Sequence, residues 1–160
     1  MSKQKVPSTP AIRLLRREGI DFRAHPYRYQ DKGGTAVSAR ELGVDEHAVI
    51  KTLIMETEDK APLIVLMHGD CQVSTRRLAR CIGCKQVQPC EPKVADRHSG
   101  YQVGGTSPFG TRRPMPVYME RSILELDRIY INGGRRGLLV ELAPKDVQRL
   151  LNPVLVEVAQ

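Results

Sequence analysis

No stretch of this 160-residue chain approaches the roughly 20 consecutive apolar residues that cross a bilayer. Membrane insertion is excluded on that ground. Local signatures of several enzyme classes are missing too. His25, His47, His68 and His98 form no His-x-His or His-Glu-x-x-His pair, and there is no Gly-x-Ser-x-Gly elbow. Ser107 lies between Thr106 and Pro108 with no histidine base indicated by the sequence. A metal hydrolase and a serine-triad hydrolase are therefore unsupported, and no metal is expected. Repeats, heptads and low-complexity tracts are absent. The basic start Met1 to Pro7 precedes neither an apolar segment nor a small-residue cleavage site, so no secretory leader is read and the cytoplasm is the expected compartment.

Cysteine is sparse. Of Cys71, Cys81, Cys84 and Cys90, only Cys81-Ile82-Gly83-Cys84 has a close spacing, and the distances to Cys71 and Cys90 do not repeat it. A redox pair needs a helix N-terminus to lower its thiol pKa, whereas Gly83 marks a helix end here. Free, partly buried thiols are the expectation.

Positive charge is abundant. The formal charge is +7, with arginine clusters at Arg13/Arg16/Arg17, Arg76/Arg77/Arg80, Arg112/Arg113 and Arg135/Arg136. Guanidinium forks suit phosphate oxygens, so a polyanion such as RNA is one class of partner; solvated helix faces are the other account of the same clusters.

The length suits one domain, residues 1–160. Ser8 or Thr9 caps a helix opened by Pro10, and Gly19 stops it. Phe22 to Tyr29 alternates like a strand, and a short helix over Ala36 to Leu42 ends at Gly43. Val49 to Glu56 and Pro62 to His68 read as a hairpin across Thr57-Glu58-Asp59-Lys60. Ser74 or Thr75 starts a helix reaching Gly83, and Glu91 to Ala95 is a helical turn. Pro116 to Glu120 and Arg128 to Asn132 are strands, the latter paired with Gly137 to Leu142 across Gly133-Gly134-Arg135-Arg136. Pro144 opens a helix over Lys145 to Leu151, and Val154 to Val158 is a last strand. Hairpins mixed with crossovers predict an α/β domain with a mixed sheet.

Two features ask for a functional reason. Gly100 to Gly110 packs four glycines and a proline into eleven residues, a backbone that lets a ligand come close to N–H groups. It lacks the Lys-Ser or Lys-Thr of a phosphate loop and the dinucleotide spacing, so ATP and NAD are disfavoured and no cofactor is expected. The second feature is Lys51, which with Thr52 interrupts the apolar run Ala48 to Met55. A lysine there either snorkels from a strand end or places one cation beside the loop.

The order Thr9-Pro10-Ala11, His25-Pro26-Tyr27, Val49-Ile50-Lys51-Thr52-Leu53, Gly100 to Pro108 and Gly133 to Leu138 resembles the YbaK/EbsC-type aminoacyl-tRNA deacylases, relatives of the prolyl-tRNA synthetase editing domain. The resemblance implies a strongly curved, barrel-like mixed sheet surrounded by short helices. It also implies hydrolysis of misacylated tRNA, typically Cys-tRNA(Pro), with the cysteinyl thiol attacking its own ester. Lys51 would hold the ester or terminal adenosine. Gly104, Gly105, Thr106, Ser107 and Pro108 would surround the ester, with Tyr27, Thr52, Asn132 and Gly133 completing the substrate site. The implied partners are the aminoacyl-tRNA acceptor end and a prolyl-tRNA synthetase. Leu139 departs from the family by standing where an aspartate is common, and Asn132 stands for a common serine. The alternatives are a deacylase for another small ester, a non-catalytic module binding the tRNA acceptor end or a synthetase, and a Schiff-base lysine.

Overall fold

The computed structural model describes residues 6–160. The N-terminal reading falls partly on Met1 to Lys5 and to that extent lies outside the described residues. The first helix, α1 (Pro10–Arg17), begins where Thr9 Oγ1 accepts a hydrogen bond from the Ile12 N–H, and it buries Ala11, Ile12 and Leu15. The Thr9 hydroxyl also donates to the Gly133 carbonyl, so this cap ties the helix to the sheet. Strand β1 (Arg23–Pro26) follows. It is shorter than the predicted Phe22 to Tyr29 because only these four residues pair with a neighbour.

Helix α2 (Gly34–Leu42) ends at Gly43 in the left-handed conformation, as its glycine predicts. Strands β2 (Val49–Thr57) and β3 (Pro62–His68) form the expected antiparallel hairpin, with every residue of β3 buried. Helix α3 (Thr75–Ile82) is capped by the Ser74 hydroxyl. The three-residue strand β4 (Val87–Pro89), which the sequence did not announce, pairs with the end of β2. Helix α4 (Pro92–Ser99) runs past the predicted turn, and Gly100 ends it.

After β5 (Val117–Glu120) come β6 (Ile129–Arg135) and β7 (Leu138–Leu142). The predicted four-residue turn is replaced by a tighter one. Arg135 pairs with Leu138, and the register shift between Asn132 and Arg135 makes Gly133 and Gly134 a bulge inside the ladder. Helix α5 (Pro144–Leu151) opens at its proline, and β8 (Val154–Val156) ends two residues before the predicted Val158.

The sheet order is β1-β7-β6-β2-β3-β5-β8, with β4 also on β2. Parallel pairs β2/β6, β3/β5 and β5/β8 combine with antiparallel hairpins, so the fold is the mixed α/β domain expected. The alternation of β2 and β3 divides the core. Ile50, Ile54, Ile64 and Leu66 join α1 and Phe109 on one face, while Met55, Val65 and Met67 meet Leu78 of α3 on the other. Among the described residues no helix is long and apolar enough to cross a membrane.

Candidate functional site

The site begins with a break in the sheet. One edge of β2 is fully paired with β3, but the opposite edge is shared: β6 takes Val49 and Ile50, and β4 takes Met55 to Thr57. Lys51 to Ile54 therefore lie at a gap. Val49 accepts from the Gly69 N–H and Thr57 donates to the Ala61 carbonyl, so the odd residues of β2 bond toward β3. By the period of two, the even residues aim their backbone polar groups into the gap. The Cys90 N–H satisfies the Ile54 carbonyl there, and Thr52 is the even residue left facing it.

A cleft of about 670 Å³ opens at this gap, lined by both Lys51 and Thr52. Their side chains leave opposite faces of the strand. Lys51 is half-buried, and its Nζ donates to the carbonyl of Cys71 at the end of the β3–α3 connection. The ammonium is thus held by a backbone carbonyl. Thr52 Oγ1 is the buried side-chain oxygen that meets no hydrogen-bond partner among the described residues. Leaving such a hydroxyl unpaired costs about 1–3 kcal/mol, which a ligand donor or acceptor would recover.

The glycine loop forms the facing wall, and its members divide. Gly104 and Thr106 line the cleft, together with Tyr27 and Asn132. Gly105, Ser107, Pro108 and Gly133 lie buried behind that wall. A Cβ on Gly105 would sit 2.6 Å from the Arg136 backbone nitrogen, so its glycine serves the close approach of loop and β6–β7 turn. The Ser107 hydroxyl accepts from the Phe109 N–H inside the core. Asn132 stitches the wall together. Its Oδ1 accepts from the N–H groups of Gly134 and Arg135 at 2.7 and 3.1 Å, and its Nδ2 donates to the Gly104 carbonyl at 3.2 Å.

Other lining residues escaped the sequence reading. The Arg136 guanidinium lies 5.1 Å from the centre of the Tyr29 ring and donates from Nε to the Val103 carbonyl, making a cation and an aromatic at the cleft rim. Their ring-and-charge pairing spans more than a hundred residues and has no local signal. Leu139, paired opposite Asn132, is 4% exposed and packs with Ala39 and Val49 as an aliphatic part of the floor. Two weak acids of the lining are held toward their neutral forms. Burial pushes the Tyr27 hydroxyl up, aided by nearby Tyr29 and opposed by the Gly137 backbone. Burial and the Glu56 carboxylate push the Cys90 thiol up to about 11. The lining contains no histidine and no glutamate among the described residues, and Asp31 is its carboxylate.

The four cysteines are free, as expected, although Cys81 is exposed instead of partly buried because it lies on the outer face of α3. The histidines make ordinary hydrogen bonds: His25 to Glu141, His47 to Asp70, and His68 to the His47 carbonyl and Ser122.

Fold and cleft together define a mixed α/β domain with a cleft lined by one lysine, Lys51, and a glycine-built wall. The chain belongs to the aminoacyl-tRNA editing domain family, whose model matches residues 32–150. It is 26% identical over 160 residues, 99% of this chain and 98% of the relative, to EbsC of Enterococcus faecalis, which is provisionally named a Cys-tRNA(Pro)/Cys-tRNA(Cys) deacylase. A proline tRNA ligase of Brachyspira hyodysenteriae is 22% identical over 86 residues, which cover 54% of this chain and 15% of the ligase. Among solved structures, one described provisionally as a trans-editing enzyme for prolyl-tRNA synthetase superposes with a TM-score of 0.82 at 19% identity, covering 97% of this chain and 99% of the other. At that identity the match speaks for the fold.

Proposed function

We propose that this protein is a trans-acting aminoacyl-tRNA deacylase that clears cysteine from tRNA(Pro), with the substrate's own thiol as nucleophile. The observation that carries the reading is an unpartnered buried hydroxyl, Thr52, at a break in the sheet, in a cleft that Lys51 and the glycine loop also line. Family membership and the name of the Enterococcus relative support the substrate class.

The chemistry follows from what the cleft holds. A cysteinyl thiol with a pKa of about 8.5 supplies a few per cent thiolate near neutrality after losing its proton to solvent. Its sulfur attacks the ester carbonyl carbon, and the carbonyl oxygen takes up the negative charge. Collapse breaks the bond to the ribose oxygen, which leaves with a proton from solvent; the products are deacylated tRNA and a cyclic thioester of cysteine that water then opens. Lys51 acts as an electrostatic clamp on the ester. The Cys90 thiol, held neutral by burial, is unsuited to act as nucleophile itself. Orienting a thiol against its own carbonyl reaches effective molarities of about 10⁵ M or more, so holding the acceptor end still supplies much of the rate. A cleft of about 670 Å³ accommodates an aminoacyl-adenosine end, and the rest of the tRNA lies outside it.

Lys51→Ala tests the assignment. Single-turnover cleavage of Cys-tRNA(Pro) is expected to fall on the order of 10²-fold or more. A rate equal to that of the unaltered protein would remove Lys51 from the site.

A further inference from the structure

His47, Asp70 and Cys71 bring an imidazole nitrogen, a carboxylate oxygen and a thiol sulfur within 4.8 Å of one another. None of the three lines the cleft. We propose that this trio binds a divalent transition-metal ion of the zinc class, with His47 Nδ1, an Asp70 oxygen and Cys71 Sγ as ligands and water completing the shell.

The spacing fits such an ion with little adjustment. His47 Nδ1 lies 2.8 Å from Asp70 Oδ1, and Cys71 Sγ lies 3.5 Å from the same oxygen. Ligand atoms around a tetrahedral zinc, with bonds of about 2.0–2.3 Å, stand about 3.3–3.8 Å apart. The shorter edge has to open by about half an ångström and the His47–Cys71 edge, within 4.8 Å, has to settle to the same range; the exposed Asp70 side chain is free to move.

The donors are also pre-positioned. The His47 ring stacks on His68, with centroids 3.7 Å apart and planes at 7°. His68 is 1% exposed and held from both nitrogens, by the His47 carbonyl and the Ser122 hydroxyl, so it fixes the plane of its neighbour. The turn carrying Asp70 and Cys71 is closed by the Cys71 N–H donating to the His68 carbonyl. Gly69 presses this turn onto the segment that bears His47: a Cβ there would meet the Glu46 carbonyl at 2.8 Å.

Donor chemistry selects the ion. A thiolate with an imidazole suits zinc or cobalt, whereas magnesium and calcium prefer oxygen donors alone. The Glu120 carboxylate and the Lys51 ammonium both bear on Cys71, with opposite effects on a cation. Without metal, burial and the Asp70 carboxylate push the Cys71 thiol up, which argues against a reactive redox cysteine; a bound metal displaces that proton. The Cys71 carbonyl holds Lys51, so the ion would sit directly behind the cleft's ammonium.

Cobalt(II) titration of the chelator-treated 160-residue protein tests the site independently of deacylation. One cobalt per chain is expected, with a thiolate-to-cobalt charge-transfer band that zinc abolishes. Cys71→Ser should eliminate the band, and Asp70→Asn should weaken cobalt affinity about tenfold or more. The Cys81→Ser/Cys84→Ser double variant should retain it. No band in the unaltered protein, a band surviving Cys71→Ser, or a band lost with Cys81 and Cys84 would overturn the proposal. Should Cys71→Ser not fold, an unchanged cobalt affinity in Asp70→Asn, an exposed position, overturns it as well.

Discussion

On the proposed reading, Thr52 carries opposite obligations to stability and to binding. Its buried hydroxyl has no partner among the described residues, so the folded protein bears a desolvation cost that a valine of the same shape would not. Thr52→Val should leave the melting temperature unchanged or raise it by an amount worth up to about 1 kcal/mol, while lowering kcat/KM for the cysteinyl ester. A destabilised variant with full activity would contradict the assignment. Glu141 shows the other kind of polar burial. His25 donates to it at 2.8 Å, burial opposes that effect, and Arg128 adds a contact at 3.1 Å, so its carboxyl is held below the ordinary value of 4.5. A depressed folded pKa stabilises above the unfolded value, and that contribution is lost as pH falls through the folded one. Glu141→Gln should therefore cost about 1–2 kcal/mol near pH 7, with the gap closing as pH falls below the ordinary carboxyl value of 4.5, as thermal melts across pH would measure. A gap that widened in acid would refute this sign.

At the level of elements, the wall of the cleft depends on contacts no side chain makes. Gly105→Ala would drive a Cβ to 2.6 Å from the Arg136 nitrogen and 2.8 Å from the Arg135 carbonyl carbon, backbone atoms that cannot swing aside. The variant should lose about 1–3 kcal/mol of stability and most of its activity although Lys51 is intact, measured by denaturant melts beside cleavage rates. Normal melting and activity would mean that loop and turn are not so closely pressed. Helix ends were legible in the sequence where their causes are local: Thr9 with Pro10, Ser74, and the stops at Gly43 and Gly83. The β2–β3 hairpin was legible from its aliphatic runs. Strand β4 was not, since Val87-Gln88-Pro89 gains its pairing only from the free edge of β2. The bulge at Gly133 and Gly134 was read as a turn for the same reason: its register is set by a partner strand.

The same distinction governs the site. Lys51 and the glycine loop stood out because a charge in an apolar run and four glycines in eleven residues are visible in one dimension. The sheet gap that makes them a cleft arises from where β6 stops and β4 begins, which no local pattern encodes. Tyr29 and Arg136 meet at its rim only through the fold.

On the scale of the molecule, a net charge of +7 beside a cleft of about 670 Å³ supports the proposed reading of a small domain that takes the end of a large polyanion. Leu139 gives the floor an aliphatic surface and supplies no carboxylate there; on the proposed reading, discrimination among esters comes from the substrate's own thiol. The most direct test is single-turnover cleavage of tRNA(Pro) charged with cysteine, S-methylcysteine, alanine or proline, with Lys51→Ala in parallel. Rapid, Lys51-dependent loss of the cysteinyl ester alone is the predicted result. Equal cleavage of the S-methylcysteinyl or alanyl ester would contradict the substrate-thiol mechanism and require an activated water, and no cleavage of any ester would contradict deacylation itself.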